Sequence, residues 1–74
     1  MTLEEFNAKC EELYPGGTKI TPNADFRDND EFDSLIGYAM LVTIQENLGY
    51  VMSVPEFLNC NTTTDLYNAA TKNK

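Results

Sequence analysis

Residues 34–48, SLIGYAMLVTIQENL, constrain the fold of this chain more than any other stretch. Apolar side chains stand at 35, 36, 38, 40, 41, 42, 44 and 48. Asp33 ahead of them is a good N-cap, and Gly49 behind them can supply the left-handed closing residue. A helix beginning at Asp33 or Ser34 and ending near Leu48 is predicted. Its apolar positions surround almost the whole circumference, so the helix is either central to a bundle or carries an apolar outer face. The longest apolar run, residues 35–44, is far short of the roughly 20 residues that a membrane span needs.

The flanking segments supply partners for such a helix. In residues 2–14, Leu3, Phe6, Cys10 and Leu13 fall at steps of three, four and three, which is one face of a helix. Thr2 and Glu5 have capping-box spacing, and Pro15-Gly16-Gly17 stops the helix. Residues 18–33 show no sustained period and read as a long connecting loop pinned by Ile20, Phe26 and Phe32. Residues 50–54 are extended or irregular, and Pro55 suits the first turn of a short helix through Leu58. Thr62 with Asp65 repeats the capping-box pattern and starts a last helix carrying Leu66, Tyr67, Ala69 and Ala70, after which residues 71–74 should fray. The expected fold is all-α: a small four-helix bundle with a long first loop and a short third helix, in one domain spanning residues 1–74. Leu3, Phe6, Leu13, Met40, Ile44, Leu48, Phe57 and Leu66 are the expected core. Tyr38, Tyr50 and Tyr67 are expected to pack with their polar tips near water.

A domain of 74 residues buries only about 60% of its unfolded surface, so the core must be used economically. The formal charge is -7, and nine of the twelve acids (Glu4, Glu5, Glu11, Glu12, Asp25, Asp28, Asp30, Glu31, Asp33) precede Ser34. Five basic residues do not make the cationic footprint that nucleic acid requires, and an anionic membrane surface would repel the chain. Partners with basic patches are favoured instead. Cys10 and Cys60, with no histidine anywhere, give neither a zinc site nor a redox motif and read as small buried hydrophobes. No basic segment followed by an apolar one opens the chain, so the expected location is the cytoplasm. Asn61-Thr62-Thr63 matches a glycosylation acceptor without a secretory route to make it meaningful.

Ser34, at the seam between the acidic loop and the apolar helix, can be read as a cap, a nucleophile, a phosphorylation site or an anchor. A catalytic serine needs a base and an oxyanion hole, and the chain offers neither a histidine nor a G-x-S-x-G turn. No enzyme is expected. The stretch DFRDNDEFDS fails as a calcium loop in either register: from Asp28, Phe32 is fifth, Asp33 stands where glycine is needed and Ala39 where the bidentate glutamate belongs. No metal site is expected. A phosphodiester on the first residue of a helix, by contrast, sits against free N–H groups and the positive end of the dipole.

FDSL at the start of a second helix, after a long acidic loop, resembles the acyl carrier proteins, and the resemblance covers essentially the whole chain. From DSL through LGYVMSVPEFLNCNTTTDLYNAA the family spacing runs without a gap. The resemblance implies a covalent phosphopantetheine on Ser34, transferred from coenzyme A by a phosphopantetheinyl transferase. Its thiol would hold an acyl, aminoacyl or polyketide cargo as a thioester for activating and transferring enzymes. It also implies that Asp33 caps the helix, that Leu35 lies where partners dock, and that the protein is a monomer without catalytic activity of its own. The other reading is an acidic helical interaction module without a prosthetic group.

Two departures from that family stand out. Asp30-Glu31 replaces the leucine-glycine pair that commonly precedes the motif, and the second helix carries no acid until Glu46. Counted by helical spacing from Ser34, its outward positions are Leu35, Ile36, Ala39, Val42 and Gln45. These apolar side chains either form a docking face for a dedicated partner of a specialised pathway, steered by the acidic loop, or pack beneath the first loop.

Overall fold

The computed structural model describes residues 1–72, and all regular structure among them is helical. Helix α1 spans Leu3–Glu11, α2 Ser34–Leu48, α3 Val54–Leu58 and α4 Thr63–Lys72, with 3-10 turns at Pro15–Gly17 and Phe26–Asp28. The expected four-helix bundle is present. α1 packs against α4 and α2, and α2 against α4.

Each boundary follows from local hydrogen-bond chemistry. Thr2 and Glu5 close a reciprocal capping box, with Glu5 N–H donating to Thr2 Oγ1 at 3.2 Å and Thr2 N–H to Glu5 Oε1 at 2.8 Å. α1 ends at Glu11 because Pro15 disfavours helical backbone at Tyr14, which is extended at φ -85°, ψ 142°. Leu13 and Tyr14 finish the segment as a tight turn, their N–H groups donating to the carbonyls of Cys10 and Glu11. α2 opens on Asp33 and closes on Gly49 at φ 66°. Ser53 caps α3 by accepting from Glu56 N–H at 3.3 Å. Asp65 N–H donates to Thr62 Oγ1 at 3.0 Å, and Asp65 Oδ2 accepts from Thr62 N–H, at the head of α4. α4 continues through Thr71 and Lys72, so the first half of the tail expected to fray is helical; residues 73–74 lie outside the described residues.

Phe6, Cys10, Met40, Ile44, Leu66 and Ala70 form the fully enclosed centre, with Leu48 and Phe57 also buried. Leu3 and Leu13, expected in the core, are only half-buried, because one lies in the first turn of α1 and the other beyond its end. Tyr50 and Tyr67 are half-buried with hydroxyls that donate to Glu56 Oε1 and to Met1 O. Tyr38 is two-thirds exposed (67%) and packs less than expected.

The long loop is stitched to the bundle. Ile20 and Phe26 are buried, Tyr14 Oη donates to Phe26 O at 2.8 Å, and Phe26 N–H donates to Asn61 O at 2.9 Å. Asn7 on the inner face of α1 donates through Nδ2 to Ile20 O at 3.0 Å and accepts from Thr63 Oγ1 at 2.6 Å, tying the loop, α1 and α4 together. A buried amide satisfied on both sides specifies one arrangement of these three segments, since any other leaves it without partners.

Cys10 and Cys60 are free and buried, as expected. Burial pushes the Cys10 thiol from 9.0 up to about 12 and the Tyr14 phenol from 10.0 up to about 12, and it raises Cys60 as well. The folded protein thus keeps protons that the unfolded chain has already released. The stability these groups contribute is complete below the unfolded thiol value of 9.0 and is lost as pH rises toward the folded value of about 12. Urea-unfolding midpoints are expected to hold level up to about pH 8.5 and to fall steadily above it. A midpoint unchanged at about pH 10.5 contradicts the enclosed position of Cys10.

Candidate functional site at the head of the second helix

Asp33 is fully extended at φ -145°, ψ -179°, which turns its carboxylate back over the first turn of α2. Its Oδ1 accepts from Ile36 N–H at 2.9 Å while its carbonyl accepts from Gly37 N–H at 3.0 Å. Asp33 is therefore the N-cap, with its side chain committed to the backbone. Ser34, the first residue of α2, is exposed, and among the described residues no hydrogen bond engages its hydroxyl. The N–H groups of a helix's first turn have no intrahelical acceptors and mark the positive end of the dipole, so the free hydroxyl stands in an anion-favouring position.

The approach to Ser34 is built by a turn at Asn29. Its Oδ1 accepts from Glu31 N–H at 2.8 Å and its carbonyl from Phe32 N–H at 2.9 Å, a short-range Asx arrangement that leaves Asp30 and Glu31 exposed. This is how the chain manages without a leucine-glycine pair at that point. Phe32 turns inward onto Phe26, with ring centroids 5.5 Å apart.

Beside Ser34 lies an open cleft of about 400 Å³ between α2 and α3, walled by Gly37, Leu41, Phe57, Leu58 and Phe32. Gly37 lies three residues past Ser34, and a Cβ there would stand 3.4 Å from Phe32 Cζ and 3.4 Å from Phe57 Cε2. Without one, the wall of the cleft at this point is helix backbone. A glycine inside a helix costs about 0.5–1 kcal/mol relative to alanine, and here a methyl group would meet the two rings at ordinary contact distance.

The expected outer face of α2 is partly corrected. Leu35 is exposed (75%), Val42 and Gln45 are exposed, and Ala39 is half-buried. Ile36, expected outward, is buried at 7% exposure. It belongs with Met40, Ile44 and Leu48 at steps of four, the inner stripe of the helix, and Tyr38, one turn from Ser34, takes its place outside. The two alternatives for these side chains thus divide by residue: Ile36 packs inward, while Leu35, Tyr38 and Val42 face solvent. Val54 and Leu58 of α3 extend the exposed apolar surface across the cleft.

Arg27 was not picked out by the sequence. Its guanidinium carbon lies 4.7 Å from the Phe57 ring centroid, 5.0 Å from that of Phe26 and 5.7 Å from that of Phe32. Its Nε and Nη2 donate to Cys60 O at 3.2 and 3.0 Å, and Nη2 also donates to Phe57 O. One side chain thereby fastens the loop to the C-terminal end of α3. The acidic loop around it holds no metal arrangement: among the described residues no group of three or more histidine, cysteine, aspartate or glutamate side chains is placed to bind an ion. No helix among them is long and apolar enough to cross a membrane.

Residues 9–70 match the family model described as the phosphopantetheine attachment site. The chain belongs to that family of carrier proteins, whose prosthetic group is phosphopantetheine held covalently. No curated protein and no solved structure matches the chain significantly. The geometry fits such a group: an exposed serine with an uncommitted hydroxyl, at the positive end of a 15-residue helix, opening on an apolar cleft.

Proposed function

We propose that the chain, as a single carrier domain over residues 1–74, bears its phosphopantetheine on Ser34 and presents a thioester-bound acyl, aminoacyl or polyketide intermediate to partner enzymes. The observation that carries this reading is the contrast between the two serines of the chain. Ser53 spends its Oγ on the N-cap of α3, whereas the Ser34 hydroxyl is exposed and has no hydrogen-bond partner among the described residues. When bound, the group supplies a thiol at the end of a flexible arm. Ser34 supplies the oxygen that forms the phosphodiester; coenzyme A donates the group as its pyrophosphate linkage breaks and adenosine 3′,5′-bisphosphate leaves, and a phosphopantetheinyl transferase supplies the base that takes the hydroxyl proton. Asp33 holds the helix end in place, its Oδ1 being occupied by Ile36 N–H.

The protein catalyses nothing on its cargo. Leu35, Tyr38 and Val42 form an exposed apolar stripe running from the attachment point, and partners dock there by hydrophobic contact. Asp28, Asp30 and Glu31 on the neighbouring loop are exposed and steer basic patches toward it. This division of labour supports a carrier dedicated to a specialised pathway, with acyl- or aminoacyl-activating and transferring enzymes as partners; the same reading takes it as a monomer of the cytoplasm.

Incubation with coenzyme A and a promiscuous phosphopantetheinyl transferase is expected to raise the intact mass by one phosphopantetheinyl group, and to add one thiol that a maleimide reaches while buried Cys10 and Cys60 stay protected. Ser34→Ala is expected to abolish both changes with its melting temperature unaltered. A wild-type chain left unmodified by several transferases would instead favour an acidic interaction module.

A further inference from the structure

Arg27 is a half-buried cation without a carboxylate partner in a chain of twelve acids. Among the described residues the one ion pair joins Lys19 to Glu11 at 3.7 Å. The Nε and Nη2 edge of the guanidinium is committed to the carbonyls of Cys60 and Phe57, and its faces lie near three aromatic rings. Nη1, with two N–H bonds, donates to nothing among the described residues. Carbonyl dipoles at the end of α3 and the ring quadrupoles offset part of the cost of withdrawing this charge from water, but a matching anion would offset more. A purely structural clasp accounts for the engaged edge; the other, at Nη1, is not enclosed and stays open to solvent or to an anion.

The position of Arg27 gives that edge a use. It lines the cleft that opens beside Ser34, whose remaining walls are mostly apolar. The N-terminal end of α2 borders the same cleft through Asp33 and Ser34, with Ile36 N–H already taken by Asp33 Oδ1. Among the described residues Arg27 is therefore the one cation lining a mostly apolar cleft, whose other charged wall residue, Asp33, has Oδ1 committed to the helix N-cap. Guanidinium N–H pairs suit oxyanions geometrically, and a low-polarity surround strengthens the contact.

We propose that Arg27 binds, through Nη1, an anionic oxygen group delivered to the cleft on the Ser34 arm. This rests on the carrier reading. Two sources share that chemistry: the phosphodiester of the arm, or a carboxylate at the far end of the cargo. In the second case the cleft selects diacid over neutral cargo.

Arg27 is the single arginine of the chain, so its guanidinium N–H signals are identifiable without assignment by mutation. The 15N-labelled wild-type chain is compared as the unmodified protein, as the phosphopantetheine form, and with that form loaded with butyryl or succinyl, intact mass confirming each state. An anion on Nη1 is expected to shift its proton signals downfield and to slow their exchange with water by about tenfold, the effect of one charge-assisted hydrogen bond. A change on adding the arm alone identifies the phosphodiester, and a change with succinyl but not butyryl identifies the cargo carboxylate. Signals unmoved in all three mass-confirmed forms overturn the proposal while leaving the carrier reading intact. Failure to form the modified protein at all removes both.

Discussion

Phe26→Ala is expected to remove about 3–5 kcal/mol of stability, the cost of truncating an enclosed phenylalanine. Phe26 is 1% exposed, and its ring lies 5.5 Å from Phe32, 5.7 Å from Phe57 and 5.0 Å from the Arg27 guanidinium carbon. At roughly 0.05–0.15 kcal/mol per residue, a chain of this size has on the order of 4–11 kcal/mol in total. The variant should therefore lose about a quarter or more of its stability, seen as a large fall in the urea midpoint with an unchanged m-value. The consequence reaches the site, because the same ring helps hold Arg27 and Phe32 at the end of the cleft. A loss below about 1 kcal/mol would mean that the long loop does not fold as one unit with the bundle.

The second large effect separates two neighbours on α2. Ile36→Glu places a carboxylate in the stripe shared with Met40 and Ile44, and burying an unpaired charge costs several kcal/mol or forces the group to stay protonated. Its folded-state pKa would lie above the unfolded value near 4.3, so the penalty is small below that pH and grows as pH rises through the folded value. The variant should be largely unfolded near neutral pH and recover in mild acid. Leu35→Glu, at an exposed position, should change stability by no more than about 0.5 kcal/mol. If Leu35 is buried against partners, losing that contact at about 1.5–3 kcal/mol lowers the kcat/KM of transferase or acylating enzymes by roughly tenfold or more. Unimpaired acylation of a folded Leu35→Glu chain would count against the apolar docking stripe, and a stable Ile36→Glu at neutral pH against the inward placement of residue 36.

What the sequence made legible was whatever is decided within one turn of chain. Thr2 with Glu5, Asp33, Gly49 and Thr62 with Asp65 each satisfy backbone groups three or four residues away, and Pro55 removes an N–H that the first turn of α3 would leave unpaired, so residue type alone locates the helix ends. The position of Ser34 at the head of α2 follows from the same chemistry. Ile36 was misplaced through the choice of reference: counting outward from Ser34 puts it outside, whereas counting back from Leu48, Ile44 and Met40 in fours puts it inside. The signal was present, and the core stripe was the sounder origin.

The rest depends on contacts that local spacing does not encode. Arg27 meets the carbonyls of residues 30 and 33 positions away, and Asn7 meets Thr63 across 56. In the sequence one is a charged residue in an acidic loop and the other a polar interruption on a helix. Only closure of the bundle shows that each is a fastening of the loop. The cleft is equally non-local, since it needs the missing side chain of Gly37, the rings of Phe32 and Phe57 and the angle between α2 and α3 together.

The central claim is that the prosthetic group sits on the uncommitted hydroxyl at the head of α2. Fragmentation mass spectrometry of the transferase-modified chain tests it most directly. The added mass should map to Ser34, with the peptide containing Ser53, whose oxygen already caps α3, unmodified. Modification at Ser53, or at any threonine or tyrosine in place of Ser34, would contradict the account.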